Sequence, residues 1–439
     1  MTRLAYRIYR LVSTVRYWLM RRLTGGGWLA AIALVLTAGM TTDPEQSLGY
    51  QAFTLIFFLC LIAMLCAPFF RPRFSVERTL PRFGTAGQPL LYHIAVKNLG
   101  RSIQNGLFVF EDLVDPRPSF DDFVRETKST TRRKSFRVSS SPPIRRLHPP
   151  KPQPLAPMLP GAESSVEMSL VPVKRGVLHL RGVSLARPDP FVLFRAFAGV
   201  RAPASITILP KRYSLPNFVL PGSARYQPGG VAFASSVGES EEFIALRDYR
   251  HGDPLRRIHW RSWAKVGRPV VKEFQDEFFV RHALILDTFT EPDNVQMFEE
   301  AVSVAASFAC TINTQESLLD LLFVGPQAYC LTVGRGVAHA DQMLEILAGV
   351  QTCSEKSFAA LEQIVVEHSN LVSGCICILL TWDEARQQLI RKLEALSVPL
   401  LVLVLREPRS KQFAPPGIAT TTQWHEIPLD QITETLAKL

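Results

Sequence analysis

Residues 374–405 read GCICILLTWDEARQQLIRKLEALSVPLLVLVL and decide the fold of the C-terminal part of the chain. The run at 374–382 is almost wholly apolar, as in a strand buried on both faces of a sheet. Apolar residues then recur at helical spacing over 383–396, and a second apolar run occupies 399–405. A strand, a helix and a strand in succession indicate a βαβ unit within a parallel sheet.

The same alternation extends outward from this unit to residue 280. Residues 281–287 form an apolar strand that ends in a carboxylate, and 294–313 has the period of an amphipathic helix. Further strands are expected at 318–324 and 329–333, and further helices at 341–350, 358–368 and 431–439. We therefore predict an α/β domain over 280–439 that is built on a doubly wound, mostly parallel sheet.

A different rhythm precedes it, over residues 74–210. Short runs of alternating apolar and polar residues, such as 90–98 and 176–182, are separated by turn residues, and proline stands at their ends. This pattern predicts a β-sandwich. The stretch 115–161 is rich in Pro, Ser and basic residues and poor in large apolar ones, so it is expected to be a disordered insert.

Two apolar runs near the N-terminus predict a transmembrane hairpin with spans at about 23–42 and 50–70. A cleaved signal peptide is the competing interpretation of the first run, but no small-x-small cleavage site is well placed and a second span follows at once. Arginines precede the first span and follow the second, whereas the loop between them holds only acidic charges. The positive-inside rule then predicts a two-pass membrane protein, with residues 1–22 as a basic cytoplasmic segment and both termini in the cytoplasm.

The net charge of +10 and the pI near 9.4 do not point to nucleic acid, because the juxtamembrane arginines account for the excess. Membrane lipids are the partners that such a distribution favours. Seven cysteines show no paired framework. A metal site at Cys375 and Cys377 lacks a second ligand pair, so we interpret these two residues as buried thiols.

Residues 211–279 contain the most unusual segment of the chain, a cluster of arginines, carboxylates and tryptophans. We predict that it forms an extended piece, a tight turn and a short helix. Either it clamps two domains together or it binds a partner, since Arg and Trp suit rigid, stacked contacts. The residues concerned are Arg247, Asp248, Tyr249, Arg250, Gly252, Asp253, Arg256, Arg257, His259, Trp260 and Arg261.

This segment resembles the signature of membrane-associated bacterial proteins that carry domain of unknown function 58 (DUF58). The pattern Leu-Arg-x-Tyr-x-x-Gly-Asp-x-x-Arg-x-Ile-x-Trp matches residues 246–260. Upstream, residues 189–194 read Asp-Pro-Phe-Val-Leu-Phe, where that family commonly has Gly in place of Val192. The resemblance implies a MoxR-type AAA+ ATPase as a partner.

The end of the first α/β strand resembles the metal site of von Willebrand factor A domains, in which hard oxygen ligands hold Mg²⁺. The ligands would be Asp287, Thr290, Thr381 and Asp383. Phe289 stands where that motif needs a hydroxyl, so a degenerate site without cofactor is predicted, and Asp287 is expected instead to cap the loop that follows it.

Taken together, these features predict a membrane-tethered, non-catalytic adaptor or scaffold that works with the ATPase in client remodelling or envelope-related assembly. The chain lacks a phosphate-binding loop, a nucleophile elbow and a His-Glu-x-x-His motif. The alternative is a hydrolase that acts on envelope precursors, with a site around Asp253 and His259.

Overall fold

The structure is a computed structural model of the 439-residue chain. It describes residues 2–40, 47–113, 120, 147–148, 150–216, 225–226, 243–253, 255, 258–274, 278–290, 295–312, 317–334, 340–354, 356–408, 413 and 422–439. The chain divides into two compact units, Met1–Ile208 and Leu209–Leu439, and each is described by itself.

The first unit begins with three helices. They are α1 (Thr2–Arg22), α2 (Gly25–Met40) and α3 (Ser47–Cys66), and a 3₁₀ turn at Ala67–Phe69 extends the last. Among the described residues, one helical stretch, Leu48–Phe69, is long and apolar enough to cross a membrane, with 22 residues and a mean hydropathy of 2.5. α2 is equally apolar but has 16 residues, which at 1.5 Å per residue is short of a bilayer core of about 30 Å. The predicted second span is thus supported by length and composition, whereas the hairpin as a whole stays a prediction.

The rest of the first unit consists of two antiparallel sheets. Their strands are β1 (Phe74–Thr79), β2 (Phe83–Thr85), β3 (Leu90–Asn98), β4 (Leu107–Leu113), β5 (Leu147–His148), β6 (Gln153–Leu155), β7 (Glu163–Pro172), β8 (Gly176–Pro188) and β9 (Arg195–Leu209). One sheet has the order β1-β3-β7-β5 and the other β2-β9-β8-β4-β6. Buried residues alternate along β3, β4 and β7 and form one core with buried residues of β8 and β9, so the predicted sandwich is present.

Two expectations for this unit need correction. The predicted disordered insert 115–161 is too long at its C-terminal end, because β6 pairs with β4 and Leu155 and Met158 are buried in the core. Most of the remaining insert lies outside the described residues. In addition, residues 1–22 were expected only as a basic segment, yet Thr2–Arg22 is a helix of 21 residues.

The second unit holds the unusual segment at residues 211–279, called the signature segment from here on, and an α/β domain. Its strands are β10 (Arg225–Tyr226), β11 (Phe243–Asp248), β12 (Val270–Phe274), β13 (Phe278–Leu286), β14 (Ser317–Val324), β15 (Ala328–Val333), β16 (Gly374–Leu379), β17 (Leu400–Arg406) and β18 (Thr422–Pro428). Its helices are α4 (Trp260–Val266), α5 (Val295–Thr311), α6 (Ala340–Gly349), α7 (Ala359–His368), α8 (Glu384–Ala395) and α9 (Ile432–Leu436), and Ser369–Leu371 is a 3₁₀ turn.

The main sheet of this unit has the order β15-β14-β13-β16-β17-β18, and the short β10 pairs with β13. β13 is parallel to β14 and β16, β17 is parallel to β16 and β18, and β15 is antiparallel at one edge. The prediction of a mostly parallel sheet is therefore confirmed, although the edge strand β18 was missed. The chain order reverses at β13, where side chains at the carboxyl ends of β13 and β16 meet, and such a point is where open α/β sheets carry their sites.

Candidate functional site

The signature segment folds as a small hairpin with a helical connection. β11 and β12 pair as a two-stranded sheet, and α4 lies between them in the chain. The reversal uses Gly252 at φ 105° and Gly267 at φ 72°, conformations that favour glycine; Gly267 also ends α4. The predicted order of an extended piece, a tight turn and a short helix is confirmed.

A bidentate ion pair closes this turn. The Arg247 guanidinium donates to both carboxylate oxygens of Asp253 at 2.7 and 2.8 Å, and the backbone N–H of Arg250 donates to Asp253 at 2.8 Å. The hydrogen bonds from Arg247 and then from Arg250 lower the pKa of Asp253 to about 2. Asp253 is thus an acceptor that is ionised at neutral pH and holds the turn.

The helix of the segment carries exposed aromatic and basic side chains. The rings of Trp260 and Trp263 stack with centroids 5.1 Å apart and planes at 19°, and Trp260 is 64% exposed. Arg261 and Lys265 are exposed on the same short helix. The Nδ1 atom of His259 lies 2.7 Å from the hydroxyl oxygen of Ser262, within the first turn of the helix.

The remaining candidate residues of the segment have separate positions. Asp248 forms an ion pair with Arg268 at 3.1 Å, and both side chains are more than half exposed, so the pair adds little stability. The backbone N–H of Tyr249 donates to the Pro269 carbonyl at 3.0 Å. Arg256 and Arg257 lie outside the described residues.

A second constellation lies at the carboxyl end of β13. Asp287 is fully buried and accepts hydrogen bonds from the backbone N–H of Phe289 at 2.9 Å and of Leu380 at 3.1 Å. The predicted loop cap by Asp287 is therefore confirmed. The Arg386 guanidinium adds two hydrogen bonds to the same carboxylate, from Nε at 3.0 Å and from Nη2 at 3.2 Å.

Arg386 also joins this carboxylate to a second one. Its Nη1 pairs with Asp383, which in turn accepts from the Arg386 backbone N–H at 3.0 Å and so caps α8. Its Nη2 donates to the Phe289 carbonyl at 2.9 Å, and the guanidinium carbon lies 4.4 Å from the centre of the Phe358 ring. Burial raises the pKa of Asp287, and this cation opposes the rise.

These contacts bear on the four residues considered as metal ligands. Asp287 and Asp383 do come together, but both face the Arg386 guanidinium. Thr290 and Thr381 lie in the loops after β13 and β16. Within the described ranges, no three His, Cys, Asp or Glu side chains are grouped closely enough to hold a metal ion. Because the Arg386 guanidinium pairs with both carboxylates, this donor set does not fit a resident Mg²⁺.

A third constellation, in the first unit, joins α2 to the sandwich. The Asp189 carboxylate accepts from the backbone N–H groups of Phe191 at 2.6 Å, of Leu193 at 3.0 Å and of Phe194, and so shapes a tight loop. Within the loop, Val192 has φ 58°, a conformation that is costly for a β-branched residue. This geometry gives a physical reason for glycine at that position in the proteins that the chain resembles.

The loop binds the start of α2, and we call this contact the anchor junction (Leu23–Gly27 with Asp189–Phe194). The Thr24 backbone N–H and hydroxyl both donate to the Leu193 carbonyl at 3.1 Å, and the hydroxyl also donates to the Val192 carbonyl. Thr24 in turn caps α2, because its hydroxyl accepts from the Gly27 N–H at 3.0 Å. A Cβ on Gly27 would lie 2.1 Å from the Leu193 carbonyl oxygen, so only glycine fits there.

Sequence reasoning missed the two residues that organise these sites, Arg386 and Thr24. Arg386 follows Asp383 by three residues in a helix, and this pattern is typical of an ordinary capped helix. The signal for Thr24 was stronger, since three glycines directly follow it and glycine is unfavourable inside a helix unless packing requires it.

Similarities to solved structures are weak. A CARDB domain from Pyrococcus furiosus is 12% identical and covers 31% of this chain and 89% of its own, with a TM-score of 0.18. A β-glucosidase from Listeria innocua is also 12% identical. The match covers 31% of this chain and 16% of the β-glucosidase, with a TM-score of 0.18. AvmM, which catalyses macrocyclization in alchivemycin A biosynthesis, is 11% identical. The match covers 33% of this chain and 94% of AvmM, with a TM-score of 0.19. Scores this low carry no argument about fold or function.

Sequence comparison is more informative. The uncharacterized protein YeaD of Bacillus subtilis (strain 168) is 25% identical over 186 residues, which are 42% of this chain and 44% of that protein. The match thus spans less than half of the relative's length. The family model described as "Protein of unknown function DUF58" matches residues 245–404, from the signature hairpin to β17. The chain therefore contains a DUF58 family domain over residues 245–404.

Proposed function

We propose that this chain is a membrane-tethered, non-catalytic adaptor or scaffold. It would present a client to a MoxR-type AAA+ ATPase in remodelling or envelope-related assembly. The tether would be the two-span hairpin in a bacterial inner membrane, with both termini in the cytoplasm. One helix of sufficient length, Leu48–Phe69, and the arginines that flank the apolar runs support this topology.

The observation that carries the proposal is that the signature segment has one charged pair that holds its turn and other side chains that remain exposed. The ion pair between Arg247 and Asp253 is internal to the turn and holds its shape. The stacked Trp260 and Trp263 and the cation of Arg261 are left at the surface. Rigid aromatic and arginine side chains that stand exposed on a fixed scaffold are the usual anchors of a protein interface. Their charge favours an acidic partner surface.

The same geometry weakens the hydrolytic alternative around Asp253 and His259. A general base works best with a pKa near the working pH, whereas the pKa of Asp253 is about 2 and both its oxygens accept from Arg247. His259 is paired with Ser262 in the first turn of a helix, a local contact that orients the ring. The local contacts of Asp253 and His259 thus give each residue a structural role that requires no catalytic one.

We further propose that the α/β domain is von Willebrand factor A-like and has a cation of its own in place of a metal. The sheet order and the position of Asp287 at its reversal point support the likeness. Arg386 supplies the positive charge that Asp287 and Asp383 require. Partner binding through a shared metal ion is therefore not part of the proposed mechanism, and no cofactor is assigned.

A binding assay with matched variants tests the proposal. The full chain in detergent is titrated with the MoxR-type ATPase of the same organism, with and without ATP. Trp260→Ala and Arg261→Glu should weaken binding at least about tenfold without changing the melting temperature, since truncation of an anchor residue costs about 2 kcal/mol or more and a factor of ten needs about 1.4 kcal/mol. Arg391→Glu, at an exposed position on α8, is the control and should bind like the parent chain.

Two outcomes would overturn the proposal. The first is an ATPase that does not bind the parent chain, or that binds the Trp260 and Arg261 variants as tightly as the parent. The second is a hydrolytic activity of the purified chain on envelope precursors that disappears in Asp253→Asn while the fold persists. That result would establish the alternative.

A further inference from the structure

The N-terminal helix α1 has an apolar face that stands open. Residues three and four apart share a face of a helix, and Leu4, Ile8, Leu11 and Val15 follow this spacing. Each of these four side chains is at least half exposed. A row of large apolar side chains on a helix surface is costly in water and indicates a surface that something covers.

The adjacent face of the same helix, about 100° around the helix axis, is strongly basic. Arg3, Arg7 and Arg10 are spaced by four and three residues and are exposed, and the helix contains no acidic residue. Farther along that face, Arg21 is used within the protein, because it pairs with Asp112 of the sandwich and lies 4.7 Å from the centre of the Phe197 ring. The C-terminal end of α1 is thus fixed to the sandwich, and its N-terminal turns present cations.

The chain leaves helical geometry between α1 and α2. Leu23 pairs with Phe194 as an isolated antiparallel bridge, and Thr24 starts a new helix as its cap. The amphipathic helix and the apolar helix are therefore separate elements. Trp28 of α2 lines a groove with Leu11 and other apolar residues of α1, so apolar surface continues from one helix to the other.

We propose that α1 is an interfacial helix that binds an anionic bilayer surface. Its apolar face lies at the level of the first acyl carbons, and Arg3, Arg7 and Arg10 contact the phosphates of anionic headgroups. This composition, basic on one face and apolar on the other, is that of helices that lie in the membrane plane. The proposal depends on the membrane tether proposed above, because α1 reaches the surface only if α3 is inserted.

Three features select a bilayer over a protein as the occupant. The charge of the exposed arginines is complementary to anionic headgroups. The apolar face is continuous with α2, and α3 is the candidate membrane span that follows α2. The anchor junction fixes the start of α2 to the sandwich through Thr24, so α1 stays beside the point at which the chain would enter the membrane. Together, α1 and the anchor junction would restrict the tilt of the sandwich on the membrane.

The test uses the full chain in vesicles, on a background without native cysteines. A fluorescent label is placed at Leu11→Cys on the apolar face or at Arg10→Cys on the basic face. Quenching by doxyl lipids and by aqueous iodide is measured in vesicles of phosphatidylcholine with or without phosphatidylglycerol. The Leu11 label should be quenched several-fold more by shallow doxyl lipid than the Arg10 label, and the reverse should hold for iodide.

The charge dependence provides a second readout. Replacing Arg3, Arg7 and Arg10 with Gln should reduce doxyl quenching at Leu11 in the anionic vesicles toward its level in pure phosphatidylcholine. A label at Leu55→Cys reports insertion of α3 separately. If Leu55 is not quenched by doxyl lipid, the tether itself is wrong, whereas quenching at Leu55 but not at Leu11 overturns the interfacial helix alone.

The Leu11 label could instead be protected from iodide but not quenched by doxyl lipid. If that protection rises with protein density, a second copy of the chain covers the apolar face. Equal iodide access at Leu11 and Arg10 would show that nothing covers it. Either result overturns the proposal.

Discussion

Replacement of Arg386 by alanine should destabilise the α/β domain strongly. The change would leave Asp287, which is 0% exposed, without its two hydrogen bonds from the guanidinium, and would free one carboxylate oxygen of Asp383. Breaking a buried ion pair from one side costs about 3–5 kcal/mol, because the remaining charge is uncompensated. For a unit of this size that corresponds to a fall of roughly 6–20 °C in melting temperature.

The same variant tests whether Arg386 stands in place of a metal. Without the guanidinium, the carboxylates of Asp287 and Asp383 would both face the space that it vacates. Mg²⁺ or Mn²⁺ should then raise the melting temperature of Arg386→Ala in a saturable way, because a ligand that binds only the folded state stabilises it. The parent chain should not respond to either ion.

The assay is thermal unfolding of the full chain in detergent, followed by tryptophan fluorescence. The rings of Trp382 and Trp424 are in edge contact, with centroids 4.3 Å apart, within the core of the α/β domain. Their fluorescence therefore reports on the unfolding of this domain. Arg391→Ala on the exposed face of α8 is the matched control and should melt like the parent. The double variant Asp287→Asn with Arg386→Met removes both charges and should recover part of the loss.

The reasoning would be refuted if Arg386→Ala melted within 1 or 2 °C of the parent, a shift of about 1 kcal/mol or less. It would equally be refuted if Mg²⁺ stabilised the parent chain and the variant alike, since the ion would then have a site that does not need the space of Arg386.

Three further predictions concern other parts of the chain. Val192→Gly should raise the melting temperature by relieving about 1 kcal/mol of strain at φ 58°, whereas the same change at Val177 on an exposed strand should lower it. Gly27→Ala should accelerate hydrogen exchange in the 189–194 loop by forcing its carbonyl away, and Gly39→Ala, with nothing within 4 Å, should not. Burial lowers the pKa of His282 from 6.5 to about 4, so the unfolded chain takes up a proton first as the pH falls. The free energy of unfolding should therefore drop by up to about 3 kcal/mol between pH 6.5 and 4 in denaturant titrations, and His282→Phe should flatten that dependence.

The sheets of both units were predictable because their strands are bordered by strong turn signals and have clear periods. The parallel strands β16 and β17 are apolar on both faces and are buried along nearly their whole length, and β13 is buried over residues 281–286. β18 was missed because Thr422–Pro428 is an edge strand with polar residues at most positions, and only Ile427 is fully buried. Its pairing with β17 is decided by the sheet and not by its own composition.

Helix α1 was missed for a different reason. Its arginines were interpreted only as a charge that orients the neighbouring span, and this interpretation ignored their helical spacing against Leu4, Ile8 and Leu11. The insert was overextended toward residue 161 because prolines surround Leu155 and Met158, two apolar residues that fill the sandwich core. In both cases a local count of residue types concealed a few side chains at decisive positions.

Two arginine–aspartate pairs illustrate where sequence reasoning ends. Arg247 and Asp253 are six residues apart in one motif, so their pairing could be suspected from the sequence. Arg386 and Asp287 are 99 residues apart and meet only because β13 and β16 are neighbours in the sheet. Burial then sets the consequence of each pair, since Asp287 is inaccessible to solvent whereas the Arg247 side chain is 33% exposed. The same guanidinium geometry therefore stabilises a solvated turn at one site, and at the other neutralises a buried carboxylate at the point where this class of sheet places its ligands.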